Sequence, residues 1–277
     1  GDNVPEEFTR DEAPEYGKFM PEAVVEALTT EEVSEVMKYA YENCIPVVPS
    51  GARTGLSGAA VATHGGIVLS LAKMNKILGF DFENFTVDVE PGVLLMDLAD
   101  EAAKYDLMYP PEPGERTATI GGNVMTNAGG MRAVKYGVTR DFVRALEVVL
   151  PDGEIIQLGS NVAKNTSGYD LKNLVIGSEG TLCIATKITL KLLPKPKYST
   201  TLLVAFSSLK ECIETVPNYF MARLIPNALE YIQRSVLNYA KEYLGKEFPD
   251  KTSEAFLILT FDGNSKNEVE EQCDLAA

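Results

Sequence analysis

Apolar and polar residues alternate along the chain with the periods of both strands and helices. "EAVVEAL" (residues 22–28) and "CIPVVPS" (residues 44–50) are short apolar runs that predict buried strands. Between them, Thr29 and Glu32 have the spacing of a helix capping box. The apolar residues that follow recur at helical spacing on one face, namely Val33, Val36, Met37, Ala40 and Tyr41. This order of strand, helix and strand predicts a βαβ unit with parallel strands.

From about residue 80 the pattern predicts a second unit that is richer in strands. "FTVDVEPG" places Phe85, Val87 and Val89 on one strand face. Residues 142–159 predict a hairpin that turns at the Pro-Asp-Gly of residues 151–153. Residues 93–106 predict a helix whose apolar face consists of Leu94, Leu95, Leu98 and Ala102. "TLCIATKITLKLL" predicts a strand with one apolar face formed by Leu182, Ile184, Ile188, Leu190 and Leu192.

Two stretches match neither period. Residues 107–141 are rich in glycine and proline, so we expect a long irregular loop with a functional role. "PKPKYS" (residues 194–199) has the composition of a linker. Beyond it, two apolar strands at 200–206 and 255–263 and a helical run at 207–222 predict a second module of α/β type, which ends in an acidic helix-like run.

The composition narrows the classes of partner. Apolar residues make up 45% of the 277 residues and charged residues 23%, which is typical of a globular protein. The net charge of −15 argues against a nucleic-acid partner, since phosphate backbones require clustered Lys and Arg. No apolar run approaches the roughly 20 residues of a membrane span. The four cysteines form no CxxC pair, which gives no zinc or iron–sulfur signature and favours a reducing cytoplasm.

Three glycine-rich stretches stand out as candidate ligand loops: residues 49–60, 119–130 and 176–182. Each alone is typical of a structural turn, but three of them at strand ends indicate a long ligand contacted along its length. The first runs into a strand and has no GxGxxG spacing, so it would hold a phosphate as a nest of backbone N–H groups. Its one cation is Arg53. Further candidate donors are the amides of Asn123 and Asn127 and the hydroxyls of Thr54, Thr119 and Ser178.

Other polar residues have a simpler interpretation. His64, the single histidine, lies in a predicted turn, which favours an exposed turn residue over a general base. The acidic run at 31–35 favours a solvated helix start over a metal site. For Arg116, Arg132, Lys135 and Arg140, cofactor-phosphate contacts and plain surface exposure stay open alternatives.

Four blocks of the sequence resemble a known family. "PVVPSGARTGLSGAA", "PPEPGERTATIGGNVMTNAGG", "KYGVTRDFVRALEVVLPDGEII" and "NTSGYDLKNLVIGSEGTLCIAT" resemble, in this order, the flavin-binding domain of the vanillyl-alcohol oxidase superfamily. The branch they resemble contains glycolate oxidase flavin subunits, D-lactate dehydrogenases and D-2-hydroxyglutarate dehydrogenases. The resemblance runs from about residue 22 to residue 196. Within the branch, the chain is most similar to the lactate dehydrogenase subunit that works with an electron-transfer flavoprotein.

The resemblance implies an α+β fold: a two-subdomain FAD-binding domain of the PCMH type, followed by the start of an α/β substrate-cap domain. The implied divisions are an N-terminal extension at 1–21, subdomain 1 at 22–79, subdomain 2 at 80–196 and a partial cap at 197–277. "PNALE" (residues 226–230) resembles the start of the family's cap. The family's C-terminal "HxGDGN"-type block has no counterpart here, and the start lacks a methionine, so we expect a truncated chain.

The resemblance also implies where FAD binds. The first loop would surround the pyrophosphate, the proline block would lie near the flavin ring and ribityl chain, and "YGV" would hold the adenine end. The implied cofactor-binding residues are Pro49, Ser50, Gly51, Ala52, Arg53, Thr54, Gly55, Pro111, Pro113, Thr119, Gly122, Asn127, Gly129, Gly130, Gly137, Val138, Glu179, Gly180 and Ile184. Covalent members carry a histidine where Arg53 and Thr54 stand, so non-covalent FAD is implied.

The implied reaction is hydride transfer from a 2-hydroxy acid, of the D-lactate or glycolate type, to flavin N5. Electrons would pass to a partner such as an electron-transfer flavoprotein or an iron–sulfur subunit. No catalytic residue or metal ligand is assigned in this chain, because the family's catalytic base and divalent metal site are expected beyond residue 277. Two alternatives stay open: an NADPH-dependent flavin reductase of the same superfamily, and a non-catalytic flavin-binding or electron-relay module.

Overall fold

The computed structural model describes residues 4–248 and 250–277, so the first three residues of the predicted N-terminal extension lie outside the described part. The chain divides into two compact units. The first consists of Gly1–Ala128 and Val138–Pro194, and the second of Gly129–Gly137 and Lys195–Ala277. In the described ranges, no helix is long and apolar enough to span a bilayer. The predicted division of the first unit into two subdomains stays a prediction.

The strands and helices are listed here in chain order. The strands are β1 (Ala23–Glu26), β2 (Val47–Ser50), β3 (Ile67–Ser70), β4 (Ile77–Asp81), β5 (Thr86–Val89), β6 (Leu107–Met108), β7 (Val143–Val149), β8 (Ile155–Gly159), β9 (Ile184–Lys191), β10 (Leu193–Pro194), β11 (Tyr198–Phe206), β12 (Ala228–Gln233) and β13 (Ala255–Gly263). The helices are α1 (Thr30–Glu42), α2 (Leu95–Ala103), α3 (Ile120–Thr126), α4 (Ala133–Tyr136), α5 (Leu171–Val175), α6 (Leu209–Met221), α7 (Arg234–Leu244) and α8 (Lys266–Ala276). Short 3₁₀ turns lie at Glu6–Thr9, Pro14–Tyr16 and Thr139–Asp141.

A parallel three-stranded sheet begins the first unit, with strand order β1-β3-β2. Helix α1 connects β1 to β2 and starts at the predicted cap, where Thr29 Oγ1 accepts a hydrogen bond from the Glu32 amide at 3.2 Å. Val33 of α1 and Leu69 of β3 are fully buried in one core cluster. The predicted parallel βαβ arrangement is confirmed, with β3 inserted between its two strands. The carboxyl ends of β2 and β3 lie side by side, because the Leu71 amide donates to the Ser50 carbonyl at 2.9 Å.

A five-stranded antiparallel sheet, in the order β4-β5-β9-β7-β8, completes the first unit. The predicted hairpin is present as β7 and β8, and Gly153 in its turn has φ of +86°. Ser34 Oγ of α1 donates to the Gly153 carbonyl at 2.6 Å. Three residues of the predicted apolar faces are exposed. Phe85 and Leu182 are exposed because each precedes its strand, and Tyr41 is exposed in the last turn of α1.

The prediction of an irregular loop over residues 107–141 was wrong in part, because this stretch contains β6, α3 and α4. Helix α3 begins at Thr119, whose Oγ1 accepts from the Gly122 amide at 3.3 Å. The interior of α3 includes two glycines, which lower its intrinsic helix propensity. The helix is therefore stabilised by the packing of Ile120 and Val124 in the core. The predicted linker is also shorter than 194–199, because β10 ends at Pro194 and β11 begins at Tyr198.

The second unit is built on an antiparallel sheet in the order β11-β13-β12. The central strand β13 is buried along most of its length. Residues of α6 and α8 pack against one of its faces in a single apolar cluster, including Cys212, Val269 and Cys273. The predicted helix at 207–222 and the acidic helical end are confirmed as α6 and α8.

Asp262 of β13 holds two chain segments of the second unit together. Its carboxylate accepts from Tyr136 Oη at 2.9 Å, and it also receives hydrogen bonds from Lys135 Nζ and Asn227 Nδ2. Burial by itself would raise the pKa of Asp262, but these three donors lower it below its ordinary value. The Gly129–Gly137 segment is therefore attached to the sheet through one buried anion.

Replacing Asp262 by Asn tests this attachment. We expect D262N to lower the free energy of unfolding by about 2 kcal/mol at neutral pH, since it removes a buried ion-pair partner. Because the folded pKa is lowered, the stabilisation is complete above the ordinary Asp pKa of about 3.9 and is lost as the pH falls through the lowered value. The chain has no tryptophan, so urea unfolding is followed by circular dichroism.

The control is D274N, which neutralises an exposed carboxylate on α8 and should change stability by less than about 0.5 kcal/mol. The difference in free energy of unfolding between D262N and the wild-type chain should become smaller as the pH is lowered. A difference that stays constant with pH would contradict an ionic role for Asp262.

Candidate functional site

A cavity of about 450 Å³ lies in the first unit, where the three glycine-rich stretches meet. This volume is in the range of small-molecule and cofactor sites. The predicted site residues that line it are Pro49, Ser50, Gly51, Ala52, Arg53, Thr54, Gly55, Pro113, Thr119, Gly122, Glu179, Gly180 and Ile184. The cavity therefore brings together predicted residues that lie far apart in the chain, from Pro49 to Ile184.

The other predicted site residues lie elsewhere. Pro111, Asn127 and Val138 belong to the first unit but are not part of the cavity lining. Gly129, Gly130 and Gly137 belong to the second unit. Their role in binding stays a prediction.

The first loop presents a run of unused backbone donors. It leaves the carboxyl end of β2 at Ser50 and runs along the cavity wall. Among residues 4–248 and 250–277, no acceptor takes a hydrogen bond from the backbone N–H groups of residues 51–57. Arg53 has a left-handed φ of +60°, a conformation that occurs in backbone nests whose N–H groups bind anions. In the described ranges, the loop therefore has free backbone donors that are available to an anion.

The loop's one cation has a structural role. The Arg53 guanidinium stacks on the Phe8 ring at 4.4 Å and lies 3.7 Å from Glu7 Oε1. Its Nη1 donates to the Gly51 carbonyl at 3.3 Å. Arg53 thus fixes the loop to the N-terminal 3₁₀ turn with most of its side chain buried.

The second stretch approaches the first closely, because Gly51 leaves room for the Thr119 side chain. A Cβ added at Gly51 would lie 2.2 Å from Thr119 Oγ1, and one at Gly121 would lie 2.6 Å from Pro91 Cβ. The Gly121 amide donates to the Pro91 carbonyl at 2.7 Å. Glycine at both positions is required for α3 to sit this close to its neighbours.

On the parts of the cavity wall that the glycine-rich stretches form, Ser50 Oγ and Asn123 Nδ2 are buried and have no hydrogen-bond partner among the described residues. Both residues are at least 95% buried, with exposures of 2% and 4%. Buried polar groups are almost always paired, so unpaired ones that face a cavity indicate a ligand with matching donors or acceptors. Asn123 was one of two candidate amides in the sequence, and its position between Ile120 and Val124 on the buried face of α3 distinguishes it.

Asn127, the other candidate amide, has a structural role. It ends α3 in a left-handed conformation (φ +48°), and its Oδ1 accepts from the Arg140 amide at 3.0 Å. The Arg140 guanidinium in turn donates to the Ile176 carbonyl at 3.0 Å. Arg140 therefore connects two loops of the first unit. Its role is structural, which differs from both alternatives that the sequence left open for it.

The third stretch closes the cavity beside the first loop. Gly180 has φ of +77°, and a Cβ there would lie 2.4 Å from Pro49 Cγ. The Glu179 amide donates to the Met125 carbonyl at 2.8 Å, and Ser57 Oγ donates to Glu179 Oε1 at 3.0 Å. Cys183 also lines the cavity, and burial raises the pKa of its thiol to about 11, so it stays neutral at physiological pH.

The N-terminal segment contributes a wall residue that the sequence analysis did not identify. Asp11 is 8% exposed and lines the cavity, and its Oδ2 has no hydrogen-bond partner in the described ranges. The adjacent Glu12 amide donates to the Gly55 carbonyl at 3.1 Å. No periodicity or motif marks residues 4–21, so this contribution could be found only from the three-dimensional structure.

The remaining candidates have the simpler roles. His64 is exposed in a turn, and its Nδ1 lies 3.0 Å from Thr63 Oγ1. The acidic run at 31–35 starts α1, and Arg116 is exposed. Lys135 pairs with Asp262 in the second unit. Within the described part of the chain, no group of three His, Cys, Asp or Glu side chains is placed to hold a metal ion.

Comparisons with known proteins find two families. The family described as FAD binding domain matches residues 21–169, and the family described as FAD linked oxidases, C-terminal domain, matches residues 195–277. The first match covers more than half of the chain and includes the first two glycine-rich stretches.

Several curated relatives align with nearly the whole chain. A D-lactate dehydrogenase of Anaerostipes hadrus is 55% identical, over 100% of this chain and 59% of the relative. A glycolate oxidase subunit GlcD of Bacillus subtilis is 40% identical, over 92% of this chain and 54% of the relative. A D-2-hydroxyglutarate dehydrogenase of Xanthomonas citri is 39% identical, over 87% and 51% respectively. The chain thus spans between about half and three fifths of the length of these relatives.

Among solved structures, an alkyldihydroxyacetonephosphate synthase matches with a TM-score of 0.76 and 21% identity. The match covers 91% of this chain and 49% of that one. At this identity the similarity shows a shared fold.

The close approach at Gly180 can be tested by G180A. We expect the free energy of unfolding to fall by about 2 kcal/mol, since alanine is strained at this φ and its Cβ would overlap the Pro49 ring. The matched control is G114A, which lies in open space in the same unit. Equal urea midpoints for G180A and G114A would contradict a steric role for Gly180.

Proposed function

Because the chain belongs to the FAD binding domain family, we propose that it forms the flavin-binding part of an FAD-dependent dehydrogenase that oxidises a 2-hydroxy acid. The D-lactate or glycolate type of substrate is favoured by the names of the relatives. The observation that carries the proposal is the cavity itself, where three glycine-rich stretches meet and where the first two carry polar groups that have no partner in the described part of the chain.

The residues of the cavity fit FAD group by group. A pyrophosphate requires several N–H donors, and the backbone of residues 51–57 offers them without a cation. The heterocycles and sugars require hydrogen-bonding partners, and Asn123 Nδ2 and Ser50 Oγ are unpaired in the described structure. The flavin ring requires apolar walls, which Met125, Ile184 and Ala185 provide. No side chain at Gly51 or Gly180 obstructs close approach of the backbone.

When bound, FAD would supply the electron acceptor for the hydride that leaves the substrate's α-carbon. The chain's own part is to bind and orient the cofactor and to exclude water from it. Glycine contacts hold the loops close together, and hydrogen bonds from the Arg53 and Arg140 side chains to backbone carbonyls fix their conformations. We place the catalytic base outside these 277 residues, in keeping with the resemblance.

The proposal includes what the sequence resemblance implies for the rest of the reaction. FAD is held without a covalent bond, because Arg53 and Thr54 stand where covalent relatives carry histidine. The electrons pass to a partner protein, such as an electron-transfer flavoprotein or an iron–sulfur subunit, in the cytoplasm.

The reaction is tested in a chimera that joins this chain to the C-terminal part of the Anaerostipes hadrus D-lactate dehydrogenase. We expect anaerobic D-lactate or glycolate to bleach the visible absorbance of the bound flavin, with L-lactate as the stereochemical control. Acid denaturation should release free FAD. Bleaching by NADPH instead of any hydroxy acid, or flavin that stays on the denatured chain, would contradict the proposal.

Cofactor binding by the chain itself is tested by N123D. This change keeps the size of the side chain but replaces a buried donor with an anion that faces an anionic ligand. We expect the FAD dissociation constant to rise at least tenfold, since an unpaired buried charge costs several kcal/mol. Quenching of FAD fluorescence measures the affinity.

The control for N123D is N75D, which adds the same charge at an exposed position of the first unit. It should leave FAD affinity within about twofold, because exposed charges are screened by solvent. If both variants bind FAD as the wild-type chain does, Asn123 does not face the cofactor.

A further inference from the structure

Asp11 is a buried carboxylate with one oxygen unaccounted for. Its Oδ1 accepts from the Ala13 amide at 2.9 Å, whereas Oδ2 has no partner in the part of the chain that the structure describes. The residue is 8% exposed and lies on the cavity wall. A buried carboxylate oxygen without a donor is costly, so its presence on a ligand cavity requires an explanation.

The position of Asp11 is fixed by its neighbours. The Glu12 amide donates to the Gly55 carbonyl at the end of the first loop. Phe8 is buried in a cluster with Ala62 and Val68 and carries the Arg53 guanidinium on its ring. Asp11 is therefore held in place before any ligand binds, which reduces the entropy lost on binding.

In the described part of the chain, no cation forms an ion pair with this carboxylate. Among the ion pairs of residues 4–248 and 250–277, none includes Asp11. A phosphate would repel it, so its partner must be a neutral donor on the ligand. In FAD the neutral donors nearest a pyrophosphate are the hydroxyls of the ribityl chain and of the adenosine ribose, on its two sides.

We propose that the Asp11 carboxylate accepts a hydrogen bond from a sugar hydroxyl of the bound flavin cofactor and thereby positions it along the first loop. This inference rests on the proposed function, because it assigns a role within the same cofactor site. It also gives the N-terminal segment a direct part in binding. The loop's N–H groups hold the anion, and Asp11 holds an uncharged hydroxyl beside it.

The direction in which D11N changes FAD affinity distinguishes this hydrogen bond from a general effect of charge. FAD is anionic, so removing a nearby negative charge that makes no contact should tighten binding. Removing a charged acceptor of a hydroxyl should instead weaken it. We expect D11N to raise the FAD dissociation constant about tenfold, since hydrogen bonds to charged acceptors are roughly twice as strong as neutral ones.

The matched control is E12Q, which removes an equal charge from the adjacent exposed side chain. We expect its FAD affinity to be unchanged or up to about twofold tighter, as a screened charge effect predicts. Fluorescence quenching on the full 277-residue chain measures all three proteins. An affinity for D11N that is equal to or tighter than the wild-type value would overturn the inference.

Cofactor analogues identify the hydroxyl, and their affinities for the wild-type chain test the inference even if D11N does not fold. The first analogue carries a 2′,3′-dideoxyribose in the adenosine half, and the second carries a ribityl chain without hydroxyls. We expect one of them to bind about tenfold more weakly than FAD, and D11N to lose no further affinity for that analogue. If both bind as tightly as FAD, the inference is wrong.

Two further outcomes would also overturn it. A loss confined to an analogue with hypoxanthine in place of adenine would assign Asp11 to the adenine amine. FAD affinity that rises steeply with added Mg²⁺ in the wild-type chain, but not in D11N, would assign it to a bridging cation. A wild-type chain that binds no FAD would overturn the proposed function as well, whereas tight wild-type binding with an unaffected D11N would overturn only the role of Asp11.

Discussion

The shape of the cavity depends on three contacts in which a glycine meets another residue where a side chain would normally stand. Gly51 meets Thr119, Gly121 meets Pro91 and Gly180 meets Pro49, and at each one an added Cβ would lie 2.6 Å or less from a neighbouring atom. Real Cβ atoms do not approach this closely, so any larger residue must push two wall segments apart. Because the three contacts join different walls, the shape of the cavity depends on all of them together.

The same constraint explains how a strongly acidic chain can bind an anionic ligand. A chain with a net charge of −15 is a poor general attractor of phosphates, and the first loop's arginine is stacked on Phe8. Binding energy for an anion must then come from oriented backbone dipoles at short range. Such donors are available only where the backbone itself can reach the ligand, which is what the missing side chains permit.

Much of the fold was visible in the sequence, because burial imposes a period on it. The βαβ start, the capped helix α1, the 142–159 hairpin and the second unit's β11, α6 and β13 all follow from apolar spacing, caps and turn residues. Helix α3 was missed because its glycines and threonines carry little propensity, and its core contacts are non-local. Phe85 and Leu182 were misplaced because strand limits depend on register with a neighbour, which no local pattern gives.

The site was predictable where a motif carries it and unpredictable where only tertiary structure does. Glycine-rich stretches identified most of the cavity lining, and the family resemblance supplied the ligand. The choice between Asn123 and Asn127 required the structure, because Asn123 lines the cavity and Asn127 ends the helix. Asp11 was not predicted for the same reason. It is a single carboxylate in a segment without periodicity, so only the three-dimensional structure shows that it lines the cavity.

The composition of the second unit limits how such proteins can be rearranged in evolution. This unit is assembled from Gly129–Gly137 and Lys195–Ala277, so its sequence is not contiguous in the gene. A recombination event that exchanged everything after residue 194 would combine Lys135 and Tyr136 of one parent with Asp262 of the other. The hydrogen-bond donors and the buried carboxylate that they contact would then come from different proteins. The recombinant therefore folds well only if the donors of the Gly129–Gly137 segment match the acceptor on β13. This requirement favours inheritance of the two segments together.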